Sequence, residues 1–194
     1  MNYLAHLLLS DGTAESLIGN LLGDFVKGSI ENIYPHEIIK GIYLHRKIDC
    51  FTDSHPIFRS SKRLISLNRR KFSGMMIDVF YDHFLAKNWS NYSSTSLADF
   101  TNHVYQVLQE NKNILPERLN SILPDMIAYD WLASYRETST INRAINGLSR
   151  RIKSKNNLVG GVEELFLNYQ QLQTDFSIFF PELIDYTLTV NSEQ

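Results

Sequence analysis

Apolar residues recur at intervals of three and four along nearly the whole chain, and no stretch alternates as a half-buried strand would. That periodicity restricts the chain to helices packed on helices. Residues 15–28, "ESLIGNLLGDFVKG", place Leu17, Ile18, Leu21, Leu22, Phe25 and Val26 on one side, with Gly28 as a stop. Residues 35–53, "PHEIIKGIYLHRKIDCFTD", open on Pro35 and turn Ile38, Ile39, Ile42, Ile48 and Phe51 inward. Further helices are expected over 56–68, 73–90, 96–112, 124–137 and 139–152, the last with Ser139 or Thr140 as N-cap. Pro116 and Pro124 are expected to interrupt the chain, as is Pro181 within an amphipathic run from Val162 to Leu188. The expectation is an all-α, single-domain bundle of seven to nine helices over residues 1–194, long enough to bury a real core.

Composition removes several classes of function. Net charge is -2, which gives no global attraction to nucleic acid or to an anionic membrane. The run "MNYLAHLLLSDG" lacks the basic start of a signal peptide, and nowhere do about 18 apolar residues follow one another. A cytoplasmic location is expected, with no membrane partner. The one cysteine, Cys50, cannot close an internal disulfide and reads as a small core residue. There is no glycine-rich phosphate loop, no GxSxG elbow and no cysteine pair for zinc.

What remains is a set of histidines and aspartates at helical spacing. His45 and Asp49 are four apart, so a helix projects them together, about 6 Å apart. Asp78 and Asp82 repeat that spacing, with His83 adjacent, and Asp24 and His6 lie on two other segments. Imidazole and carboxylate are common ligands of Mn²⁺, Fe²⁺ and Zn²⁺, and a bundle can bring four segments to one point. The same pairs also occur on solvated helix faces. Asp53, four residues beyond Asp49, serves equally well as a cap before the helix at Pro56. Asp24 and Asp78 sit between apolar neighbours, where a carboxylate is costly unless paired or metal-bound.

Basic residues cluster twice. From Ser54 to Ile77 there is no acid, but there are Arg59, Lys62, Arg63, Arg69, Arg70 and Lys71; the second cluster is "RRIKSK" at 150–155. Each is either a solvated helix face or a docking surface for something acidic. Aromatics are not interleaved as single-stranded nucleic acid requires.

The segments "MNYLAHLLLS", "GNLLGDFVKG", "GIYLHRKIDCFTD" and "DVFYDHFLAKNW", followed by "WLASYR" and "INGLSRR", resemble the bacterial acyl carrier protein phosphodiesterases in order and spacing. The resemblance covers nearly the whole chain. It implies an all-helical, atypical HD-type phosphohydrolase that depends on a divalent metal, Mn²⁺ by preference. The implied reaction cleaves the phosphodiester joining 4'-phosphopantetheine to a serine of holo acyl carrier protein. Carried over by residue, the implied metal ligands come from His6, Asp24, His45, Asp49, Asp78 and Asp82. His83 also belongs to the implied site; the chemistry then asks for a proton donor, for which His83 or a non-ligating His45 is the candidate, and a phosphate-binding cation, Arg46 being nearest in sequence. The 59–71 patch becomes the implied docking surface for acyl carrier protein, an acidic partner. One departure stands out: HD proteins take their name from an adjacent His-Asp pair, and this chain has Asp82-His83 in the reverse order. The alternative expectation is the same metal chemistry on a nucleotide or another small phosphoester.

Overall fold

A computed structural model describes residues 1–192. Its eleven α-helices, with three short 3-10 turns and no strand among the described residues, give the all-α bundle expected. The helices are α1 (Tyr3–Leu8), α2 (Ala14–Leu22), α3 (His36–Ser54), α4 (Pro56–Leu64), α5 (Ser73–Lys87), α6 (Leu97–Glu110), α7 (Glu117–Ala128), α8 (Trp131–Ser134), α9 (Thr138–Arg151), α10 (Val162–Leu167) and α11 (Tyr169–Ser192). The count exceeds seven to nine because α1, α8 and α10 are only four to six residues long. Among the described residues no helix is long and apolar enough to cross a membrane.

The central helix is α5. Met76, Ile77, Phe80, Tyr81, Phe84 and Leu85 are all fully buried, so it is apolar nearly all round, as a helix enclosed by others must be. It packs against α1, α4, α9 and α11. Beside it Phe58, Tyr81, Phe176 and Phe179 make edge-on and tilted ring contacts 5.3–6.2 Å apart.

The closest helix approach is between α2 and α3, and two glycines permit it. A Cβ on Gly19 would lie 2.3 Å from the Ile38 carbonyl oxygen and 2.8 Å from the Gly41 Cα. The backbones therefore meet where any side chain would force them apart.

Several local expectations give way to packing. Pro124 and Pro181 lie inside α7 and α11 rather than ending them. Each is flanked by fully buried residues, Leu123 and Met126 in one case, Phe180 and Leu183 in the other, and that burial outweighs the roughly 3 kcal/mol cost of an interior proline. The breaks fall elsewhere: at Asn168, and at Asp130, which has φ 40° and caps α8 by accepting from the Ala133 N–H. The N-cap of α9 is Glu137, not Ser139 or Thr140. α2 stops at Leu22, six residues before Gly28. Asp53 caps nothing: α3 runs on to Ser54, and the His55 ring accepts from the Ile57 N–H to cap α4. Cys50 is exposed, because two residues beyond fully buried Ile48 lies about 200° around the helix.

Candidate metal centre and its cavity

Four helices converge on one point. α1 brings His6, α3 brings His45 and Asp49, α5 brings Asp78, and Asp24 follows the end of α2. One Asp49 oxygen, Oδ1, lies 3.1 Å from His6 Nε2; the other, Oδ2, lies 3.2 Å from His45 Nε2. The two imidazoles stack with centroids 3.7 Å apart. The Met1 α-amino group lies 3.1 Å from Asp49 Oδ1 and 3.2 Å from Asp78 Oδ1. Among the described residues, His6, His45 and Asp49 form the group whose ligand atoms all lie within 4.8 Å of one another.

The local sequence explains this geometry. A Cβ on Gly23 would lie 2.2 Å from His45 Cγ, so the His45 ring lies in a gap that only glycine leaves. His45 Nδ1 is 2.7 Å from the Asn20 carbonyl oxygen, which can only accept, so Nδ1 carries the proton. In the neutral ring Nε2 then presents a lone pair to a carboxylate oxygen. Two acceptors at 3.2 Å repel unless a proton or a cation lies between them. The His6 ring is fully buried and its Nδ1 has no hydrogen-bond partner.

The electrostatics follow from crowding. Burial, reinforced by His45, pushes the His6 imidazole down to about 3. Burial alone would raise the Asp49 carboxyl, but the adjoining His45 and His6 rings and the Met1 ammonium outweigh that and hold it far below the usual range. Asp78 is pushed up by burial, against the attraction of the Met1 ammonium, with Asp49 adding to the rise. Asp24 is pushed up by desolvation, which outweighs the opposing pull of His45. The Met1 amine loses by burial but gains more from Asp78 and Asp49, and rises to about 11.

The remaining residues singled out from sequence lie elsewhere. Asp82, fully buried, accepts from the Leu4 and Ala5 N–H groups at 2.8 and 3.1 Å. It thus caps α1, whose own N-cap residue Asn2 makes no side-chain bond, and it faces α1 rather than the histidines. Burial pushes its carboxyl up to about 7. His83 has both ring nitrogens engaged, Nδ1 with the Tyr135 carbonyl and Nε2 with the Tyr169 hydroxyl, each at 2.9 Å. The Arg46 guanidinium donates to the Gly28 carbonyl. Neither His83 nor Arg46 lines the cavity beside the cluster; nor do His6, His45 and Asp49, which adjoin it through the Met1 amine and Asp78.

That cavity, about 560 Å³, has Asp24, Asp78 and Met1 in its wall. Tyr3, Trp131 and Tyr135 form an aromatic side, and Arg118, Arg143, Arg150 and Arg151 supply four guanidiniums. Arg150 and Arg151 belong to the "RRIKSK" cluster visible in sequence. Arg118 and Arg143 are isolated cations within helical segments and carry no local signal.

The 59–71 cations are largely engaged within the fold. Arg69 Nε donates to the Asn157 carbonyl and Nη1 pairs with Glu164 at 3.2 Å. Arg70 donates to the carbonyls of Ile65 and Arg63, Arg59 to that of Asp53, and Lys62 pairs with the Asp53 carboxylate at 3.4 Å. Arg59, Arg63, Arg70 and Lys71 are exposed, and Arg63 and Lys71 make no such bond.

Comparison with known proteins gives a consistent result. The sequence profile of the acyl carrier protein phosphodiesterase family matches residues 1–183. The acyl carrier protein phosphodiesterase of Yersinia pestis is 34% identical over 185 residues, 95% of this chain and 96% of that protein. Its namesake in Serratia proteamaculans has the same identity and coverage. That of Escherichia coli is 32% identical over 186 residues, again 95% and 96%. No solved structure gives a significant match.

Proposed function

The chain belongs to the acyl carrier protein phosphodiesterase family, and from that premise we propose that it hydrolyses the phosphodiester linking 4'-phosphopantetheine to the serine of holo acyl carrier protein, using a divalent cation such as Mn²⁺. The products are apo acyl carrier protein and 4'-phosphopantetheine. The observation that carries the metal is the pair of imidazole nitrogens directed at one carboxylate, with the His45 lone pair fixed by Asn20. A mixed imidazole and carboxylate set suits Mn²⁺ and similar ions. His6, His45 and Asp49 would hold the ion, and Asp78, linked to Asp49 through the Met1 amine, lines the adjoining cavity together with Asp24. When bound, it would neutralise charge on the phosphate and lower the pKa of an attacking water.

The chain's own groups do the rest. Asn20 fixes the His45 tautomer, as an outer partner does for a ligating histidine. Asp82 tethers α1 and so holds His6 in place. Arg118 and Arg143, in the same cavity wall, are suited to bind the non-bridging phosphate oxygens, since charge-assisted bonds from guanidinium are strong and directional. The aromatic side of the cavity offers surface to an organic arm and excludes water around it.

The test is intact-mass measurement of holo acyl carrier protein incubated with the protein and Mn²⁺, beside a chelated sample and Asp49→Ala. The expected result is loss of the phosphopantetheine mass in the metal-replete wild-type sample alone. An unchanged mass with a metal-loaded, folded protein overturns the substrate assignment and directs attention to small phosphoesters. Cleavage that persists after chelation overturns the metal.

A further inference from the structure

The chain has two acid-free basic stretches, and the structure treats them differently. Between Thr138 and Gly161 there is no Asp or Glu, but there are Arg143, Arg150, Arg151, Lys153 and Lys155. All five are exposed. Among the described residues none of them has a carboxylate within ion-pairing distance; in the other stretch Arg69 and Lys62 are paired with Glu164 and Asp53, and Arg59 and Arg70 are held by backbone carbonyls. Arg143 makes one bond, to the Thr140 hydroxyl at 2.9 Å, which leaves its charge uncompensated.

Position adds to charge. Arg143, Arg150 and Arg151 lie in the wall of the cavity that also contains Asp24 and Asp78, and Lys153 and Lys155, both exposed, follow within four residues of Arg151 in the chain. A bound macromolecule that reaches the metal centre with a tethered arm must rest its own surface at the cavity mouth. Arg150 and Arg151 in that wall, with Lys153 and Lys155 just after them in the chain, are four uncompensated cations that favour an acidic surface.

We propose that the C-terminal half of α9 and the segment after it, Arg150 to Lys155, is the docking surface for the acidic carrier protein, and that residues 59–71 are not. This rests on the substrate reading above. The partner committed to is a folded acidic protein bearing the phosphodiester arm. A free small diester would use the cavity without touching Lys153 or Lys155.

The test compares wild type, the α9 variant Arg150→Glu/Lys153→Glu/Lys155→Glu and the patch variant Arg59→Glu/Arg63→Glu/Lys71→Glu. Two quantities are measured: KM and kcat for holo acyl carrier protein, and the Kd for apo acyl carrier protein by fluorescence anisotropy. For the α9 variant, KM and Kd are expected to rise about tenfold or more while kcat changes little, and the wild-type Kd should weaken steeply with salt. The patch variant should alter Kd less than about twofold. Unchanged Kd and KM in the α9 variant, or a larger rise in the patch variant, overturns the docking assignment even if the wild type cleaves holo protein. Conversely, α9-dependent binding of apo protein without cleavage by the wild type keeps the docking surface and overturns the reaction. A fall in kcat without a rise in Kd would mean that Arg150 acts on the arm inside the cavity, and the docking assignment fails.

Discussion

Two helices carry the same four-residue spacing of ionisable groups and use it differently. On α3, His45 and Asp49 face the same point and touch each other, one ring nitrogen 3.2 Å from one carboxylate oxygen. On α5, Asp78 and Asp82 diverge in use: Asp78 faces the cluster and Asp82 accepts two N–H groups of α1. The difference is environment. α3 presents its pair to the open end of the bundle, where Asp49 keeps 44% of its side-chain surface. Asp82 lies one turn further along α5 and is fully buried, where a carboxylate persists only if hydrogen-bonded. Equal spacing sets which groups share a face; depth sets whether that face binds a ligand or holds the fold.

The sharpest way to break the comparison is to remove one member of each pair. Asp49→Ala is expected to lower kcat/KM about 1000-fold, since the proposed divalent ion would supply several kcal/mol of transition-state stabilisation, while the thermal midpoint stays near wild type. Asp82→Ala should do the reverse, losing about 3 kcal/mol in urea unfolding because two backbone donors of α1 are left buried. If Asp82→Ala folded as well as wild type but lost bound Mn²⁺, Asp82 would belong with the ligands and the distinction would collapse.

His83 sharpens the contrast with His45. Its two ring nitrogens hold the Tyr135 carbonyl and the Tyr169 hydroxyl. His83→Gln can restore only one of these, so a stability loss of about 1 kcal/mol is expected, with the rate per folded molecule unchanged. A large drop in kcat at undiminished stability would bring His83 into the reaction.

The smallest effect is expected at Glu164, a buried carboxylate remote from the cluster. Burial alone would raise its carboxyl; bonds from Ser66 and Arg69 outweigh this and hold it below 4.5. A depressed folded value means stability that is present above 4.5 and lost as pH falls. Glu164→Gln should flatten that acid-side decline, as followed by thermal midpoint from pH 6 to pH 3. An undiminished slope in the variant would show that Glu164 has no part in it.

The fold class was legible in the sequence because helical periodicity is a local property: three-to-four spacing over 56–64, 73–87 and 97–110 is what those helices bury. Interior prolines misled because their cost is local and the packing that overrides it is not. The site was legible in part. His45 and Asp49 are neighbours on one helix turn, so spacing alone puts them together, and His6, Asp24 and Asp78 were candidates as isolated polar groups among apolar ones. Their convergence depends on contacts up to 77 and 78 residues apart in sequence, such as Asp82 to Ala5 and Leu4.

The sequence by itself thus determined an all-helical bundle, the turn of α3 that offers His45 and Asp49, and two basic stretches. Only the tertiary structure decided which stretch opens onto the cavity with its cations unpaired. Arg69 finds Asn157 and Glu164 across the chain, whereas Arg150 and Arg151 meet no acid and open onto the cavity. The physical reason is that a charge is neutralised by what folds against it, and partners distant in sequence leave no mark in the local pattern.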